Sequence, residues 1–280
     1  MTEIVKHTPQ TAIQLLTKTG EEMSELDRLI AEEIAGEAGQ GYTFIPTRLK
    51  IGSGGLTAFV TDDGDTYKEV KAVIVVSQMA RAYWPHTEDS ASVPPLCTSP
   101  DARFGYFNAG APDGQIADAT HTKTTHPAVR ALTETGEIIE KISCADCPLS
   151  VFGSADKGAG QACKMMVRLV LLVDGWATPA MLTLPPTSIK AFNAYASAQQ
   201  SKRSAYFAVR SVLTLSKKGT GQTSYSVVEM ARAEDLTDDE KRAVLAIRGE
   251  AAEYVRNTSI EAGDYVNGTT PSQEDDVAPF

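Results

Sequence analysis

The four cysteines of this chain are spaced like the ligands of one metal ion. They are Cys97, Cys144, Cys147 and Cys163. Cys144 and Cys147 form a Cys-x-x-Cys pair, a spacing that lets two thiolates point at one ion from a single turn, and Cys163 follows after fifteen intervening residues. Four thiolates complete a tetrahedral site with no open position for water, which is the arrangement of structural zinc. The cysteines therefore predict one structural Zn²⁺ per chain.

Other interpretations of the same residues stay open. His121 or His126 could replace Cys97 as the fourth ligand. A redox Cys-x-x-Cys usually begins a helix in a thioredoxin-like unit, and residues 148–153 do not favour such a helix. Disulfides are not expected, because the first twenty residues lack the pattern of a secretory signal.

A second group of residues could bind single-stranded nucleic acid. Such binding needs cations for the phosphates and aromatic faces for stacking against bases. Basic and aromatic side chains cluster at residues 81–84 and 104–107 and around Cys163, although a single aromatic is more often a core residue. Arg48 and Lys50 share one face of an expected strand. The candidate contacts are Arg48, Lys50, Arg81, Tyr83, Trp84, Phe104, Tyr106, Lys157, Lys164, Arg168 and Lys190.

The C-terminal end could bind a partner protein. Residues 274–280 are three acids followed by a short apolar end whose last residue is aromatic. An acidic segment of this kind cannot bury enough apolar surface to offset its ordering entropy, so we expect residues 257–280 to form a flexible tail. The residues expected to contact the partner are Asp275, Asp276, Pro279 and Phe280.

The hydrophobic pattern predicts mainly β-structure with added helices. Residues 73–76 are apolar on both faces, which is typical of a buried strand, and Thr237 to Glu240 form a capping box that opens a helix. We expect strands over residues 42–51, 56–61, 70–77, 167–173, 181–184, 206–215 and 223–231. We expect helices over residues 21–35, from Thr187 or Ser188 to about Gln200, and from Thr237 to about Val255.

Six or seven short strands with few helices favour a small antiparallel barrel, of which an OB-fold-like core is one solution. An α+β sandwich is the alternative. Residues 85–143 are rich in Pro, Gly, Ser, Thr and Asp, as expected of loops held by a metal rather than by a core. The prediction is an N-terminal helical segment at residues 1–40, an OB-like core at 41–256 with a zinc-stapled insertion at about 85–165, and a disordered acidic tail at 257–280.

The net charge is −10, from 26 basic and 36 acidic residues, and such a charge argues at face value against nucleic acid. The acids are concentrated at the ends, however. Residues 261–280 contain five acids and no Lys or Arg, and residues 20–37 contain seven acids and one Arg. A near-neutral middle with acidic appendages suits a binder whose tail competes electrostatically with the nucleic acid. No apolar run approaches the roughly 20 residues of a spanning helix, so we expect no membrane contact and a cytoplasmic protein.

Several stretches carry a family resemblance, and they extend from residue 45 to residue 190. They are Ile45-Pro46-Thr47-Arg48-Leu49-Lys50-Ile51, Arg81-Ala82-Tyr83-Trp84, Pro94-Pro95-Leu96-Cys97-Thr98-Ser99-Pro100-Asp101, Cys144-Ala145-Asp146-Cys147-Pro148, Phe152-Gly153-Ser154-Ala155, Gly160-Gln161-Ala162-Cys163-Lys164 and Leu184-Pro185-Pro186-Thr187-Ser188-Ile189-Lys190. Together with the terminal Pro279-Phe280 they resemble bacteriophage and mobile-element proteins related to single-stranded-DNA-binding proteins. The resemblance implies an OB-like binder with a zinc-held element and a tail that recruits replication and recombination proteins. Residues 104–143 are longer than the family pattern.

The expected function is therefore non-enzymatic binding of single-stranded DNA in phage replication or recombination, in the host cytoplasm, with self-association left open. Stacking and phosphate contacts predict weak sequence preference and strong salt dependence. One alternative is a zinc-stapled interaction module acting on a host replication or transcription enzyme. Another is a metal-dependent nuclease using Asp62, Asp63 and Asp65, although Asp and Gly are also the residues of a hairpin turn. The sequence has no Walker, GxSxG or HExxH motif.

Overall fold

A computed structural model describes residues 9–17, 29, 46–52, 56–86, 92–219 and 224–264. Within them the chain forms a mixed sheet of eleven strands and five α-helices. The strands are β1 Thr47–Ile51, β2 Phe59–Thr61, β3 Thr66–Tyr67, β4 Glu69–Tyr83, β5 Cys97–Ser99, β6 Phe104–Phe107, β7 Lys141–Ser143, β8 Lys164–Val173, β9 Ala180–Leu184, β10 Val209–Lys218 and β11 Tyr225–Asp235. The helices are α1 Pro9–Thr17, α2 Asp113–Thr120, α3 Pro127–Thr135, α4 Pro186–Ser201 and α5 Asp238–Asn257, with 3₁₀ turns at Pro148–Ser150 and Tyr206–Ala208.

The sheet is open. Its strand order is β3-β2-β1-β9-β8-β4-β5-β6-β7, and β10 pairs with both β4 and β11. The β1–β9 pair is parallel and the other pairs are antiparallel. The prediction of a mainly β protein with added helices is confirmed. The predicted antiparallel barrel is not formed, because no pairing among the described strands joins the two ends of this order.

Strand β4 pairs with two different strands along one of its edges. On that edge it pairs with β10 at residues 69–73 and with β5 at residues 81–83, so the sheet divides between β10 and β5. On its other edge it pairs with β8 from Ala72 to Ala82. In the gap, Arg248 of α5 donates to the carbonyl of Val75, and the Ser77 hydroxyl donates to Tyr206 Oη at 3.0 Å. The division at β4 sets the cysteine-containing arm apart from the rest of the sheet.

Helices cover both faces of the central strands, which is why the middle of β4 is apolar on both sides. Helix α4 packs Ile189 and Phe192 against the face that contains Ile74. Helices α1 and α5 pack on the opposite face, against Val73 and Val75. Neighbouring residues of a strand point to opposite faces, so two-sided burial requires an uninterrupted apolar run. The predicted burial of residues 73–76 is confirmed, since all four are buried.

The arm beyond β4 has its own small core. Residues 85–143 were expected to be loops, but they contain β5, β6, α2, α3 and β7. Helix α3 begins after His126, whose side chain accepts from the Ala128 N–H, and ends at Gly136 with φ +72°. Ala128 and Val129 are buried in a cluster with Leu96. The loop prediction was wrong, because helices of eight and nine residues are shorter than the roughly 11–18 residues over which a helical period is recognised, and their composition is polar.

Other predicted elements are confirmed with small shifts. Strands β8 and β9, helix α4 and the β10–β11 hairpin occur where they were expected. The capping box of α5 has both of its hydrogen bonds, from Glu240 N–H to Thr237 Oγ1 and from Thr237 N–H to Glu240 Oε2. The helix predicted over residues 21–35 lies outside the described residues, apart from residue 29. In the described part of the chain, no helix combines the length and the hydropathy that crossing a membrane would require.

The segment after α5 packs on the sheet, although the flexible tail was predicted to begin at residue 257. Ile260 is 3 % exposed and packs with Ala80, Ala82, Trp84 and Met166. Arg168, which is fully buried, donates to the carbonyls of residues 255, 258 and 259 at 3.1, 2.8 and 3.3 Å. The boundary of any tail therefore lies beyond residue 264.

Arg48 completes this docking. Its guanidinium forms ion pairs with Glu261 at 2.9 Å and with Asp264 at 3.2 Å. The predicted partner-binding residues of the tail, which are Asp275, Asp276, Pro279 and Phe280, lie outside the described residues.

Candidate metal centre and aromatic surface

The four cysteines come from three separate parts of the arm and line one small cavity. Cys97 is the first residue of β5, Cys144 follows β7, Cys147 precedes the 3₁₀ turn Pro148–Ser150, and Cys163 precedes β8. All four are buried, none is in a disulfide, and all four line the cavity. The sequence prediction that these residues converge is confirmed; the metal itself stays a prediction.

Gly105 lets strand β6 pass directly beside the sulfurs. A Cβ built on Gly105 would lie 2.8 Å from Cys97 Sγ and 3.8 Å from Cys144 Sγ. The first distance is shorter than a carbon–sulfur contact allows, so a side chain here would push β6 away from the cysteines. Both sulfurs thus lie close to the point where a side chain of residue 105 would project from β6.

Hydrogen bonds fix the loop that carries Cys144 and Cys147. The Ser150 hydroxyl lies 2.8 Å from the carbonyl of Cys144 and 2.7 Å from that of Cys147, both of which can accept from it. The Ser150 N–H donates to the carbonyl of Cys147 at 3.0 Å. The backbone amides of Leu149 and Ser150 act to lower the pKa of the Cys147 thiol, because a positive N–H dipole near a sulfur stabilises its thiolate form.

Burial works in the opposite direction. It raises the pKa of Cys97, of Cys147 and of Cys163, the last to about 12, and the neighbouring cysteines raise these values further. The Arg81 guanidinium opposes the effect at Cys163. Four buried thiols so close together cannot all ionise unless a cation compensates their charge.

The donor set fits a closed thiolate site, whereas the sulfur positions need adjustment. Among the described residues, no group of three or more His, Cys, Asp or Glu side chains could hold a metal ion as it stands. A tetrahedral site with Zn–S bonds of about 2.3 Å needs sulfurs about 3.8 Å apart. A cysteine sulfur moves by rotation about χ1, so the distances between the sulfurs depend on the rotamers of the four side chains.

Arg81 points at this cavity and not at solvent. It is a buried residue that lines the cavity, and its Nη1 lies 3.4 Å from Cys163 O and 3.4 Å from Gln161 Oε1. Gln161 in turn donates to the carbonyl of Ser150 at 2.6 Å. Arg81 was predicted as a phosphate contact; its position instead supplies a buried positive charge beside the cysteines.

The two histidines considered as replacement ligands have different positions. His121 is exposed at the end of α2. His126 lines the cavity but is stacked between the rings of Tyr83 and Phe107, with centroids 5.6 Å away on each side. Its Nδ1 accepts the Ala128 N–H at 3.3 Å, and burial lowers its pKa to about 4. This arrangement favours Cys97 over either histidine as the fourth ligand.

The outward face of β6 exposes two aromatic rings. Phe104 is 41 % exposed and Tyr106 is 50 % exposed. The alternate residues of the strand, Gly105 and Phe107, face the interior of the protein. Lys141 of β7 places its Nζ 4.1 Å from the Phe104 ring centroid and 6.0 Å from that of Tyr106. The arm therefore presents two rings and a cation on one surface.

Strand pairing places residues of the neighbouring strands in line with Tyr106, although one of them, Ala82, is fully buried under Ile260. Directly paired residues of antiparallel strands point to the same face. The pairs Ala82–Lys164, Ala82–Thr98, Thr98–Tyr106 and Tyr106–Lys141 place one residue of five successive strands side by side. We call Lys164, Ala82, Thr98, Tyr106 and Lys141 the Tyr106 row. Strands are about 4.8 Å apart, so the row is roughly 19 Å long, with a lysine at each end.

Besides Arg81, three more of the predicted nucleic-acid contacts are buried in the protein. Tyr83 and Trp84 are each 1 % exposed, and the Trp84 indole donates to the carbonyl of Val93 at 2.8 Å. Arg168 is fully buried against the segment that follows α5. These positions leave no ring face or guanidinium open to a nucleic acid, so we remove all three from the candidate interface.

The remaining candidates are distributed over the surface. Arg48 is engaged by the acids after α5, and Lys50 pairs with Asp62 at 2.7 Å. Lys157 is exposed in the loop before Cys163, and Lys190 is exposed on α4. Only Phe104, Tyr106 and Lys164 of the predicted contacts share the outward face of the arm. Lys141 was missed, because only strand pairing reveals that it stands beside the rings.

The acids considered for a nuclease form a turn. Residues 62–65 connect β2 to β3, Gly64 has φ +91°, and the Asp65 N–H donates to Thr61 Oγ1 at 3.1 Å. The prediction of a hairpin turn is confirmed.

We compared the chain with protein-family models, with curated proteins and with solved structures, and none of them matched. The resemblance to phage single-stranded-DNA-binding proteins therefore stays a prediction from the motifs.

Proposed function

We propose that the protein binds single-stranded DNA through Phe104, Tyr106 and Lys141, with Lys164 at the far end of the Tyr106 row. The observation that carries the proposal is the pair of exposed rings on β6 with the Lys141 ammonium beside them. A surface that binds single strands combines aromatic rings with cations, since every base has a face that can stack on a ring and every nucleotide has a phosphate. Lys164 at the other end of the row supplies a second cation.

The biological setting of this proposal is phage replication or recombination in the host cell, without catalysis by this chain. Residues 275–280 would recruit the replication or recombination proteins. The zinc that the cysteines predict belongs to the same arm, and its role is developed in the next subsection.

The direct test is binding of a labelled oligothymidylate to the full chain, measured by fluorescence anisotropy. Stacking is worth about 1–3 kcal/mol per base, so Phe104→Ala and Tyr106→Ala should each weaken binding by roughly 5- to 150-fold. Leu245→Ala is the matched control, because Leu245 is a large apolar residue, 61 % exposed, on α5. Equal affinity of the ring variants and the control would show that DNA does not bind on β6.

Salt dependence tests the cations of the same surface. For single strands, the slope of log affinity against log salt is about −0.7 per phosphate contact. Lys141→Gln should therefore make the slope shallower by about 0.7, whereas Lys218→Gln, an exposed lysine on β10, should leave it unchanged. An identical slope for the two variants would argue against phosphate contact at Lys141.

A module that binds only proteins is the second candidate, and an exposed apolar pair favours it. Val151 and Phe152 follow the 3₁₀ turn beside the cysteines and are 59 % and 39 % exposed. If this candidate is correct, the wild-type chain does not bind the oligonucleotide even at low salt. A purified replication or transcription enzyme binds the wild-type chain, and the Phe152→Ala variant no longer binds that enzyme.

A further inference from the structure

We infer that Cys97, Cys144, Cys147 and Cys163 bind one thiophilic divalent cation of the Zn²⁺ class, and that this ion supports β6 from behind and so holds the exposed rings in place. The metal site does not depend on the proposed function. Its effect on oligonucleotide binding does rest on that function.

The cysteines converge from separate parts of the chain. They belong to three segments, which are β5, the loop after β7 and the residue before β8, yet all four line the same cavity. A free buried cysteine normally behaves as a small apolar residue and needs no other cysteine near it. Four buried cysteines around one cavity form an arrangement that a bound cation stabilises.

A buried positive charge lies beside the cysteines. Four thiolates around a divalent cation leave a net negative charge, and a buried charge requires a partner. Arg81 supplies a buried guanidinium that lines the same cavity, and its Nη1 lies 3.4 Å from the carbonyl oxygen of Cys163. A purely apolar cysteine cluster would need no such cation.

Strand β6 lies between the cysteines and the exposed rings. Successive residues of β6 alternate between the two faces of the sheet. Gly105 faces the sulfurs, while Phe104 and Tyr106 on either side of it face solvent. Only four residues long, β6 is held by β5 on one side and β7 on the other, and both neighbours lead directly to cysteines. An ion joining Cys97 to Cys144 would tie these two strands together behind the rings.

The metal is tested first without DNA. Purified full chain is reduced, stripped with a chelator, and titrated with Co²⁺ and then Zn²⁺. We expect one Co²⁺ per chain, with the thiolate charge-transfer bands and the visible absorption of a tetrahedral site, and loss of both when Zn²⁺ displaces it. Absence of these bands, or of stoichiometric binding of either ion, would overturn the inference.

Two glycine variants then test the position of the centre behind β6. Gly105→Ala places a methyl group against Cys97 Sγ, so we expect at least a tenfold loss of Co²⁺ affinity. Gly114→Ala, in α2 of the same arm, meets nothing within 4 Å and should bind Co²⁺ as the wild type does. Cys144→Ser should remove the four-thiolate spectrum, and circular dichroism should show that the main sheet persists in each variant. Unchanged Co²⁺ affinity in Gly105→Ala would refute the placement of the sulfurs around β6.

The coupling to the surface is tested last. Removing the ion should lower oligonucleotide affinity by at least the factor seen for Tyr106→Ala, and adding Zn²⁺ back should restore it. Full affinity in the metal-free chain would overturn the supporting role. A chain that shows the Co²⁺ spectrum but never binds the oligonucleotide would support the metal centre and reject the proposed function, so the two failures are distinguishable.

Discussion

His126 gives the arm a measurable sensitivity to acid. Its ring is buried between two aromatic rings, and burial lowers its pKa to about 4 from an ordinary value of 6.5. The unfolded chain takes up a proton at this residue below pH 6.5, whereas the folded chain does so only near pH 4. The stabilisation is therefore present above pH 6.5 and is lost as the pH falls towards 4.

At pH 5 the loss should be about 2 kcal/mol relative to pH 7, from the difference between the two pKa values. The measurement is the free energy of urea unfolding of the wild type and of His126→Phe, which keeps a ring in the stack. His121→Phe is the control, because His121 is exposed and should leave the pH dependence unchanged. The same pH dependence in all three proteins would contradict the assignment.

The residue types and their spacing predicted that the cysteines lie together, but they did not predict which way the side chains of residues 81–84 point. The spacing of the cysteines was sufficient to predict their convergence. The Arg81 to Trp84 cluster was misassigned, because adjacent residues of a strand alternate between faces and each face here is covered. Tyr83 packs with His126 in the arm, and Trp84 lies under Ile260 from nearly two hundred residues later in the chain. No local pattern could show that cover.

Helix α5 depends on its N-terminal cap. The Thr237 hydroxyl accepts the Glu240 N–H at 3.2 Å, and the Glu240 carboxylate accepts the Thr237 N–H at 2.7 Å. Thr237→Ala removes one of these bonds and should destabilise the chain by about 1 kcal/mol, read from the free energy of urea unfolding. Glu250→Ala, at an exposed position of the same helix, should stay within about 0.5 kcal/mol of the wild type. Equal values for the two variants would mean that the cap contributes nothing to stability.

Long or strongly marked elements were predictable, and short ones in the arm were not. Strand β8, helix α4 and helix α5 have clear periodicity or capping residues. Strands β5 and β7 have three residues each, and they are fixed by pairing to β4 and β6. Such short strands are stabilised mainly by pairing with their neighbours, so their own residues give little indication that they are strands.

Arg210 joins four parts of the molecule at one buried guanidinium. It is fully buried and donates to the carbonyl of Leu16 in α1 at 2.9 Å. It also pairs with Asp174 after β8, with Glu234 of β11 at 2.9 Å and with Glu240 of α5 at 2.8 Å. The side chain therefore connects the N-terminal helix, the sheet and the last helix.

Arg210→Met should destabilise the whole chain by about 3–5 kcal/mol, because it leaves the buried Glu240 carboxylate without its cation. Asp174 and Glu234 are partly exposed and keep an ion pair with Lys71. The measurement is the midpoint and slope of urea unfolding. Lys218→Met removes an exposed cation from the same strand, whose partner Glu229 is 3.8 Å away, and should cost less than about 1 kcal/mol. A small effect of Arg210→Met would show that the cluster is not a stabilising centre.

The overall topology could not be predicted from local patterns. Counting strands indicated a barrel, but whether a sheet closes depends on which edges meet. Here the two ends of the strand order are β3 and β7, and the same edge of β4 accepts both β5 and β10. Pairings over such long sequence separations are set by packing of the complete chain.

The burial of Trp84 beneath Ile260 gives this protein an internal fluorophore at an informative place. The sequence contains two tryptophans, and the other, Trp176, stands against Tyr67 with ring centroids 5.4 Å apart. With Trp176 replaced by Phe, the emission would come from Trp84 alone. A shift of that emission to longer wavelength would report water reaching the indole when residues 258–264 leave the sheet. Because Ala82 of the Tyr106 row lies two residues away on the same face, the signal would also show whether a ligand on the row disturbs the docked segment.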